Sequence, residues 1–141
     1  MESKKLTPRL SVAPQVTVAD LALLAEQGFK TIINNRPDGE AESQPLSADL
    51  AAEASRLGLV FIEMPVKSSG ISDQDVSDFG QQLAAAKAPV LAFCRTGTRC
   101  TNLWALNAAN TQGVEQIIAT AKRAGYDLSK NKERLEAVKQ G

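Results

Sequence analysis

The sequence contains no histidine, the side chain that most often transfers protons near neutral pH and most often binds zinc. A Ser-His-Asp triad, a Cys-His protease and a histidine metal site are therefore excluded. Proton transfer would have to use carboxylate, Lys, Tyr or Cys side chains. We expect neither a metal nor an organic cofactor.

Cysteine is scarce, and charge of one sign is not in excess. Two cysteines are too few for a disulfide framework, so each is interpreted as a reactive residue or as a packed core residue. Lys plus Arg and Asp plus Glu both total 16, so the formal net charge is zero. No broad field would attract nucleic acid or an acidic membrane, and neither is an expected partner. A small anionic substrate would have to be bound by a local cluster.

Long apolar runs are also missing, including from the first thirty residues. We therefore expect no signal peptide and no membrane span, and the cytoplasm is the expected location. A chain of 141 residues with 43% hydrophobic side chains has room for one core, so residues 1–141 are predicted to form a single domain.

Short apolar runs alternate with longer segments of helical period, which predicts an α/β fold with a central, mainly parallel sheet flanked by helices. Thr17 with Asp20 and Ser72 with Asp75 have the spacing of capping boxes at helix starts. Helices from about residues 18, 48 and 114 should end at Gly28, Gly58 and Gly125 respectively. The C-terminal third, from residue 102 onward, is predicted to be helical. The predicted strands are Leu10–Ala13, Thr31–Asn34, Val60–Met64 and Val90–Phe93.

The segment from Cys94 to Arg99, here called the Cys94 loop, lies between the most apolar strand and a helical segment. A cysteine facing a helix N-terminus meets peptide N–H groups and the positive end of the helix dipole, which lowers the pKa of its thiol. Gly97 lets the backbone N–H groups turn inward, and Arg99 can give two parallel donors to an oxyanion. We predict Cys94 as a nucleophile in an anion-binding segment completed by Arg95, Thr96, Gly97, Thr98 and Arg99.

Less specific interpretations of these residues stay open. Cys94 would also suit a buried small apolar position at a strand end, and Arg95 would suit a solvated loop charge. Cys100 is expected in the first turn of the following helix, where its side chain would point back toward Cys94. As a functional residue, Cys100 would donate a weak hydrogen bond to the Cys94 thiolate or form a disulfide with Cys94. Alternatively, Cys100 only packs within the helix. Trp104 has the spacing of a core residue.

The Cys94 loop is one of several short motifs along the chain: Ala13-Pro14-Gln15, Ile33 through Glu40, Gln44-Pro45, Met64-Pro65-Val66, Cys94 through Arg99, Leu103-Trp104-Ala105 and Ala124 through Leu128. In these motifs the chain resembles the phosphatase-like domain of the beta-lactamase hydrolase-like proteins, over residues from about 6 to 128. The resemblance implies the phosphatase-like fold. It also implies that Cys94 attacks phosphorus, that Arg99 holds the transferring group, and that a phosphocysteine is then hydrolysed.

The chain departs from the usual phosphatase pattern at three points. Four residues separate Cys94 from Arg99, whereas phosphatases have five there and rhodaneses use the shorter loop to hold a persulfide. The phosphatase general acid is an aspartate after the preceding strand, but here no carboxylate follows Met64 until Asp73. Phe93 occupies the position before the cysteine where histidine is usual. Cys100 occupies the position after the arginine where a hydroxyl side chain is usual, so Thr96 or Thr101 would have to supply that hydroxyl.

The candidate acids are Asp38, Glu40 and Asp73, and each has an alternative role. Asp38 lies in a turn sequence, Arg36-Pro37-Asp38-Gly39, and Asp73 suits the positive first turn of a helix. Arg36 is expected to pair locally or to hold this turn, with a substrate contact as the alternative. The catalytic assignment of Asp38 and Asp73 is therefore kept as one of two possibilities.

Three functions remain in view. The first is a phosphatase-like hydrolase acting on a phosphomonoester. The second is a sulfurtransferase that forms a Cys94 persulfide from thiosulfate or glutathione persulfide, with a persulfide-oxidising enzyme as a possible functional partner. The third is a non-catalytic anion-binding or redox-sensing module. The resemblance favours the first, while the loop length and the missing acid favour the second.

Overall fold

A computed structural model describes residues 2–140, without the side chains of residues 139 and 140. The strands are β1 Lys4–Lys5, β2 Leu10–Ala13, β3 Thr31–Asn34, β4 Val60–Glu63 and β5 Val90–Phe93. The helices are α1 Val18–Glu26, α2 Ser47–Arg56, α3 Asp73–Ala85, α4 Thr98–Ala108, α5 Val114–Arg123 and α6 Lys132–Gln140, with a 3-10 turn at Ser129–Asn131 before α6. The predicted α/β fold with a helical C-terminal third is confirmed.

The sheet has the strand order β1-β2-β5-β3-β4, and every pairing except that of β1 is parallel. β5 is central because its four residues are apolar and buried on both faces, as a parallel strand under helices must be. Phe93 lies beside Ala13 on one side and Asn34 on the other, and Asn34 lies beside Glu63. Four parallel strands therefore end in one row, and the segments that follow them meet at one edge.

Two apolar clusters cover the two faces of the sheet. Successive side chains of a strand point to opposite faces, so Leu91 and Phe93 pack on the face covered by α1 and α2, while Val90 and Ala92 pack on the other. Cys94 continues the second series and lies in the cluster that includes α4, α5 and α6. Trp104 belongs to the same cluster and is 5% exposed, which confirms its predicted place in the core.

The local signals for helix ends are confirmed in detail. Both capping boxes form: the Thr17 side chain accepts from the Asp20 N–H and the Ser72 side chain from the Asp75 N–H, with each carboxylate returning the bond. The three glycines expected to end helices, Gly28, Gly58 and Gly125, all have positive φ.

Two details of the sheet differ from the prediction. β4 ends at Glu63, one residue before the predicted Met64, although the Met64 N–H still donates to the carbonyl of Asn34 at 2.9 Å. β1 was missed because two exposed lysines carry no apolar pattern, and lysines are typical of a strand that must not pair further. Among the described residues, none of the helices is long and apolar enough to cross a bilayer.

Candidate active site

The Cys94 loop leaves the central strand and turns directly into α4. Gly97 is the residue before the helix, with φ +93°, a conformation that glycine adopts without strain. A β-carbon at Gly97 would also collide with the Tyr126 hydroxyl. The Gly97 N–H points inward and donates to the Cys94 sulfur at 3.1 Å, so the predicted inward turn of the backbone is present at this residue.

Tyr126 holds the outer side of the same loop. Its hydroxyl donates to the carbonyl of Thr96 at 3.1 Å. Burial, together with the negative charge at Cys94, raises the pKa of Tyr126, so its hydroxyl stays a donor. The loop is therefore fixed from within by Cys94 and from outside by Tyr126.

The Cys94 thiol has a pKa lowered to about 5, with the largest contribution from hydrogen bonding by the Cys100 thiol. Burial opposes this shift, and the backbone N–H groups of Cys100, Gly97 and Thr96 add to it. Burial and the neighbouring Cys94 charge raise the pKa of Cys100 well above its ordinary value, so Cys100 remains a thiol. At neutral pH the Cys94 sulfur is therefore an anion, and the Cys100 thiol is its hydrogen-bond donor. Both cysteines are free.

Arg99 is fixed by three partners on other loops. Its Nη1 donates to the carbonyls of Asn35 at 3.3 Å and of Val66 at 3.0 Å. Its Nη1 and Nη2 also meet the two carboxylate oxygens of Glu40, at 3.3 and 3.2 Å. These bonds hold the guanidinium in one orientation, with 9% of the side chain exposed. Carbonyl groups from the loops after β3 and β4 thus position a side chain of the loop after β5.

Glu40 joins two arginines. It accepts from Arg36 Nε at 3.0 Å as well as from Arg99, and Arg36 also donates to the Gln15 side chain at 2.9 Å. Burial alone would raise the pKa of Glu40, but the hydrogen bonds from Arg99 and Arg36 outweigh it and lower the pKa. Glu40 is therefore a carboxylate under physiological conditions. As a candidate acid it lies in the right place but in the wrong protonation state.

These residues surround a cavity of about 740 Å³ at the sheet edge. Cys94 is only 1% exposed and packs in an apolar cluster, yet it also lines this cavity. Cys94 thus has the apolar packing of a core residue and also the contact with a cavity that a nucleophile needs. The cavity is lined by Arg36, Glu40, Ala41, Ser68, Gly70, Ile71, Cys94, Arg95, Thr96, Thr98, Arg99, Asn102, Asn131 and Arg134.

The other two candidate acids lie outside this lining. Asp38 accepts the Ser47 N–H at 2.9 Å and so caps the first turn of α2. Asp73 is fully exposed in the first turn of α3, where it meets Arg134 at 3.2 Å. Their catalytic assignment stays a prediction, while their alternative roles account for the contacts they make.

The expected hydroxyl substitutes also have local partners. Thr101 donates to the carbonyl of Gly97 at 2.8 Å, within the first turn of α4. The Thr96 hydroxyl donates to the Thr98 hydroxyl at 3.0 Å and accepts the Thr98 N–H at 3.3 Å. In both cases the hydroxyl stabilises the turn from loop to helix.

Sequence reasoning missed two residues of this region. Tyr126 was noted only as part of a family motif, and Arg134 was not noted at all. No local signal marks either residue, because Tyr126 follows α5 and Arg134 lies in α6, about 30 residues or more after the loop. Only the packing of α5 and α6 against α4 brings them there.

The family model for the beta-lactamase hydrolase-like protein, phosphatase-like domain, matches residues 2–111. A beta-lactamase hydrolase-like protein of Agrobacterium fabrum is 36% identical over 91% of the chain. The chain spans only 30% of the length of that relative.

Solved structures give the same picture of the fold. A candidate phosphatase of Neisseria meningitidis is 42% identical and superposes with a TM-score of 0.88 over 96% of both chains. The core catalytic domain of a PP-IP phosphatase from S. cerevisiae has a TM-score of 0.74 at 11% identity, covering 95% of this chain and 83% of that one. At that identity the second likeness concerns the fold alone.

Proposed function

The chain belongs to the family of phosphatase-like domains of beta-lactamase hydrolase-like proteins, and from this premise we propose that it is a cysteine-dependent phosphatase acting on a phosphomonoester. One observation carries the proposal. The Cys94 sulfur, with a pKa of about 5, lies at a cavity whose wall holds a fixed guanidinium. An anionic nucleophile and a rigid cation are the two parts that phosphoryl transfer needs most.

In the proposed first step, the Cys94 thiolate attacks phosphorus. A sulfur–phosphorus bond forms, the ester oxygen–phosphorus bond breaks, and the alcohol oxygen leaves with the bonding electrons. Arg99 and the loop N–H groups stabilise the charge on the equatorial oxygens. Water then attacks the phosphocysteine, which releases inorganic phosphate and restores the thiolate.

The leaving oxygen has no evident proton donor among the described residues that line the cavity. Glu40, the carboxylate among them, is ionised by its two arginines. A general acid commonly contributes about 10²–10⁴ in rate. The proposed enzyme should therefore prefer aryl phosphates and other substrates whose leaving groups depart as stable anions.

A rhodanese-type sulfurtransferase is the second candidate, favoured by the four-residue spacing between Cys94 and Arg99 and by the same lack of an acid. Here the thiolate would attack the outer sulfur of thiosulfate, release sulfite and become a persulfide. Cyanide would then remove that sulfur as thiocyanate and restore the thiolate. In a cell, a persulfide-oxidising enzyme would be a fitting partner.

One protein preparation separates these functions. We expect 4-nitrophenyl phosphate to release phosphate, and thiosulfate with cyanide to release no thiocyanate above the background of Cys94→Ser. Mass spectrometry of the Cys94 peptide after each incubation distinguishes a phosphoryl adduct from the gain of one sulfur. Thiocyanate release without phosphate release would reject the phosphatase in favour of the sulfurtransferase.

Cys94→Ser is the matched control, because it changes one atom and removes both reactions. Cys100→Ser controls for sulfur loading on the neighbouring thiol. Absence of turnover with both substrates, in protein that still binds phosphate, would leave the anion-binding module as the remaining function.

A further inference from the structure

The cavity at Cys94 is strongly cationic, although the chain as a whole has a net charge of zero. Among the residues that the structure describes, four arginines and one carboxylate line it. A cavity with walls of low dielectric constant concentrates the field of such charges on whatever enters it. The number of arginines exceeds what one phosphoryl group needs.

The four arginines form two groups. Arg36 and Arg99 are the inner pair: both meet Glu40, and their side chains are 6% and 9% exposed. Arg99 and the loop N–H groups suffice for the transferring group in the proposed reaction. The contacts with Glu40 and with the transferring group therefore account for the inner pair.

The outer pair, Arg95 and Arg134, has no comparable partner. The Arg95 side chain is exposed and makes no hydrogen bond with the described part of the chain. Within residues 2–140, the Arg134 side chain is paired only with Asp73, which is fully exposed, and an ion pair of that kind is worth little in water. Both arginines line the cavity, and each guanidinium has donors that no described residue uses.

The wall that carries Arg134 is fixed relative to the Cys94 loop. The Asn131 side chain donates to the Asn102 side chain at 2.6 Å, and Asn102 donates to the carbonyl of Thr98 at 3.0 Å. Leu135, next to Arg134, is completely buried in the same apolar cluster as Cys94. Arg134 is therefore held beside the cavity by packing and by a short chain of amides.

We infer that Arg95 and Arg134 form a second anion subsite, and that the substrate carries a carboxylate or phosphate group in addition to the phosphoryl group that reacts. This inference deepens the proposed phosphatase function and rests on it for the identity of the inner group. Oxyanions are the natural ligands of such a pair, because each planar guanidinium can donate two parallel hydrogen bonds to one.

The test measures binding rather than turnover, through protection of Cys94 from iodoacetamide. Each ω-phosphonocarboxylate of two to six carbons is compared with the alkylphosphonate that has a methyl group in place of the carboxylate. At the best chain length, we expect the carboxylate to lower the protecting concentration about five- to twentyfold. A matched series of α,ω-bisphosphonates distinguishes phosphate from carboxylate as the preferred second group.

The readout is the protecting concentration of the alkylphosphonate divided by that of the ω-phosphonocarboxylate of the same length. Because both ligands place the same phosphonate at the inner site, changes in binding there cancel in this ratio. Arg95→Ala and Arg134→Ala should each reduce the ratio, and the double variant should bring it to about 1. Arg56→Ala is the matched control, since it removes the same charge from an exposed arginine paired with Glu53 and should leave the ratio unchanged.

Two results would overturn the subsite: a ratio near 1 at every length in the unaltered protein, or an undiminished ratio in the double variant. Loss of the proposed function is a separate outcome. If the protein hydrolyses no phosphate ester but the ratio stays above 1, the second anion subsite is supported and the proposed phosphatase function is rejected.

Discussion

The loops that follow β5 and β4 leave the same edge of the sheet, but they contribute very differently to the site. The Cys94 loop supplies a thiolate, inward N–H groups and a fixed arginine. The loop after β4, Met64–Ser72, supplies the Val66 carbonyl that orients Arg99, and contains no carboxylate. In the proposed enzyme, the half of the site that would bind and attack an anion is therefore complete, while the half that would protonate a leaving group is not.

This difference indicates which step the proposed enzyme would find hard. Charge stabilisation by oriented donors acts on any oxyanion, whether phosphate or thiosulfate. Proton donation is needed only when the leaving group is a poor anion. The contrast between the two loops can therefore be tested by weakening the first and by completing the second.

Arg99→Lys should have the largest effect, lowering kcat/KM for 4-nitrophenyl phosphate by about 10²–10³. Lysine keeps the charge but cannot hold two carbonyls, a carboxylate and an oxyanion through one planar fork. The measurement is steady-state phosphate release. Arg36→Lys is the control, because it makes the same substitution at the other partner of Glu40 and should cost less than about tenfold. Equal losses in the two variants would contradict the special role of the Cys94 loop.

Ser68→Asp should complete the loop after β4. Ser68 lines the cavity and its neighbour Ser69 does not, so Ser69→Asp is the control. With an alkyl phosphate at about pH 5.5, we expect Ser68→Asp to raise kcat about tenfold or more, because the new carboxyl group can protonate the alcohol oxygen. With 4-nitrophenyl phosphate the gain should be less than about twofold, since that leaving group needs no proton. A gain that is the same for both esters would argue against the missing acid.

The two loops also differ in how far the sequence predicts them. The course of the Cys94 loop from strand to helix is predicted from the sequence, because a buried apolar strand and a glycine before a helix are local signals. The partners of Arg99 are not local: Asn35, Glu40 and Val66 come from two other loops. They are set by strand order, which puts β3 beside β5 and β4 beside β3.

The cause of the low Cys94 pKa shows the same limit. The helix N-terminus and the backbone N–H groups were expected to lower it, and N–H groups do contribute. The largest contribution, however, comes from the Cys100 thiol. The position of Cys100 in the first helical turn predicted that its side chain would point back toward Cys94, but it left open whether the thiol acts on the thiolate or only packs in the helix.

Cys100→Ala should raise the Cys94 pKa, because it removes the thiol that donates to the thiolate. In the unaltered protein, alkylation by iodoacetamide should fall as the pH drops through about 5. In the variant it should fall at a higher pH, so that the rate at pH 6 is about tenfold lower. Cys100→Ser, which keeps a donor, should lie between the two. Coincident profiles would assign the low pKa to the backbone alone.

The same pKa predicts the direction of a stability change. Between about pH 5 and the ordinary thiol value near 9, the unfolded chain binds a proton at Cys94 that the folded chain does not. The contribution of Cys94 to the free energy of unfolding should therefore be fully present above pH 9 and be lost as the pH falls to about 5. Cys94→Ser, compared with the unaltered protein across this range by urea denaturation, should lack that contribution.

Asp38→Ala should have the smallest effect on catalysis. This variant tests whether the loop after β3 supplies the acid that the loop after β4 lacks. Asp38 accepts the Ser47 N–H at 2.9 Å at the start of α2 and is absent from the residues that line the cavity. Loss of such a cap costs about 1 kcal/mol of stability, measurable by urea denaturation. We expect kcat for 4-nitrophenyl and alkyl phosphates to change by less than about twofold, with the same pH profile. Thr17→Ala, which removes the comparable cap of α1, is the control for destabilisation alone. If Asp38→Ala abolished the fall in activity on the alkaline side of the profile while Thr17→Ala did not, Asp38 would be the proton donor, and the contrast between the two loops would have to include a third.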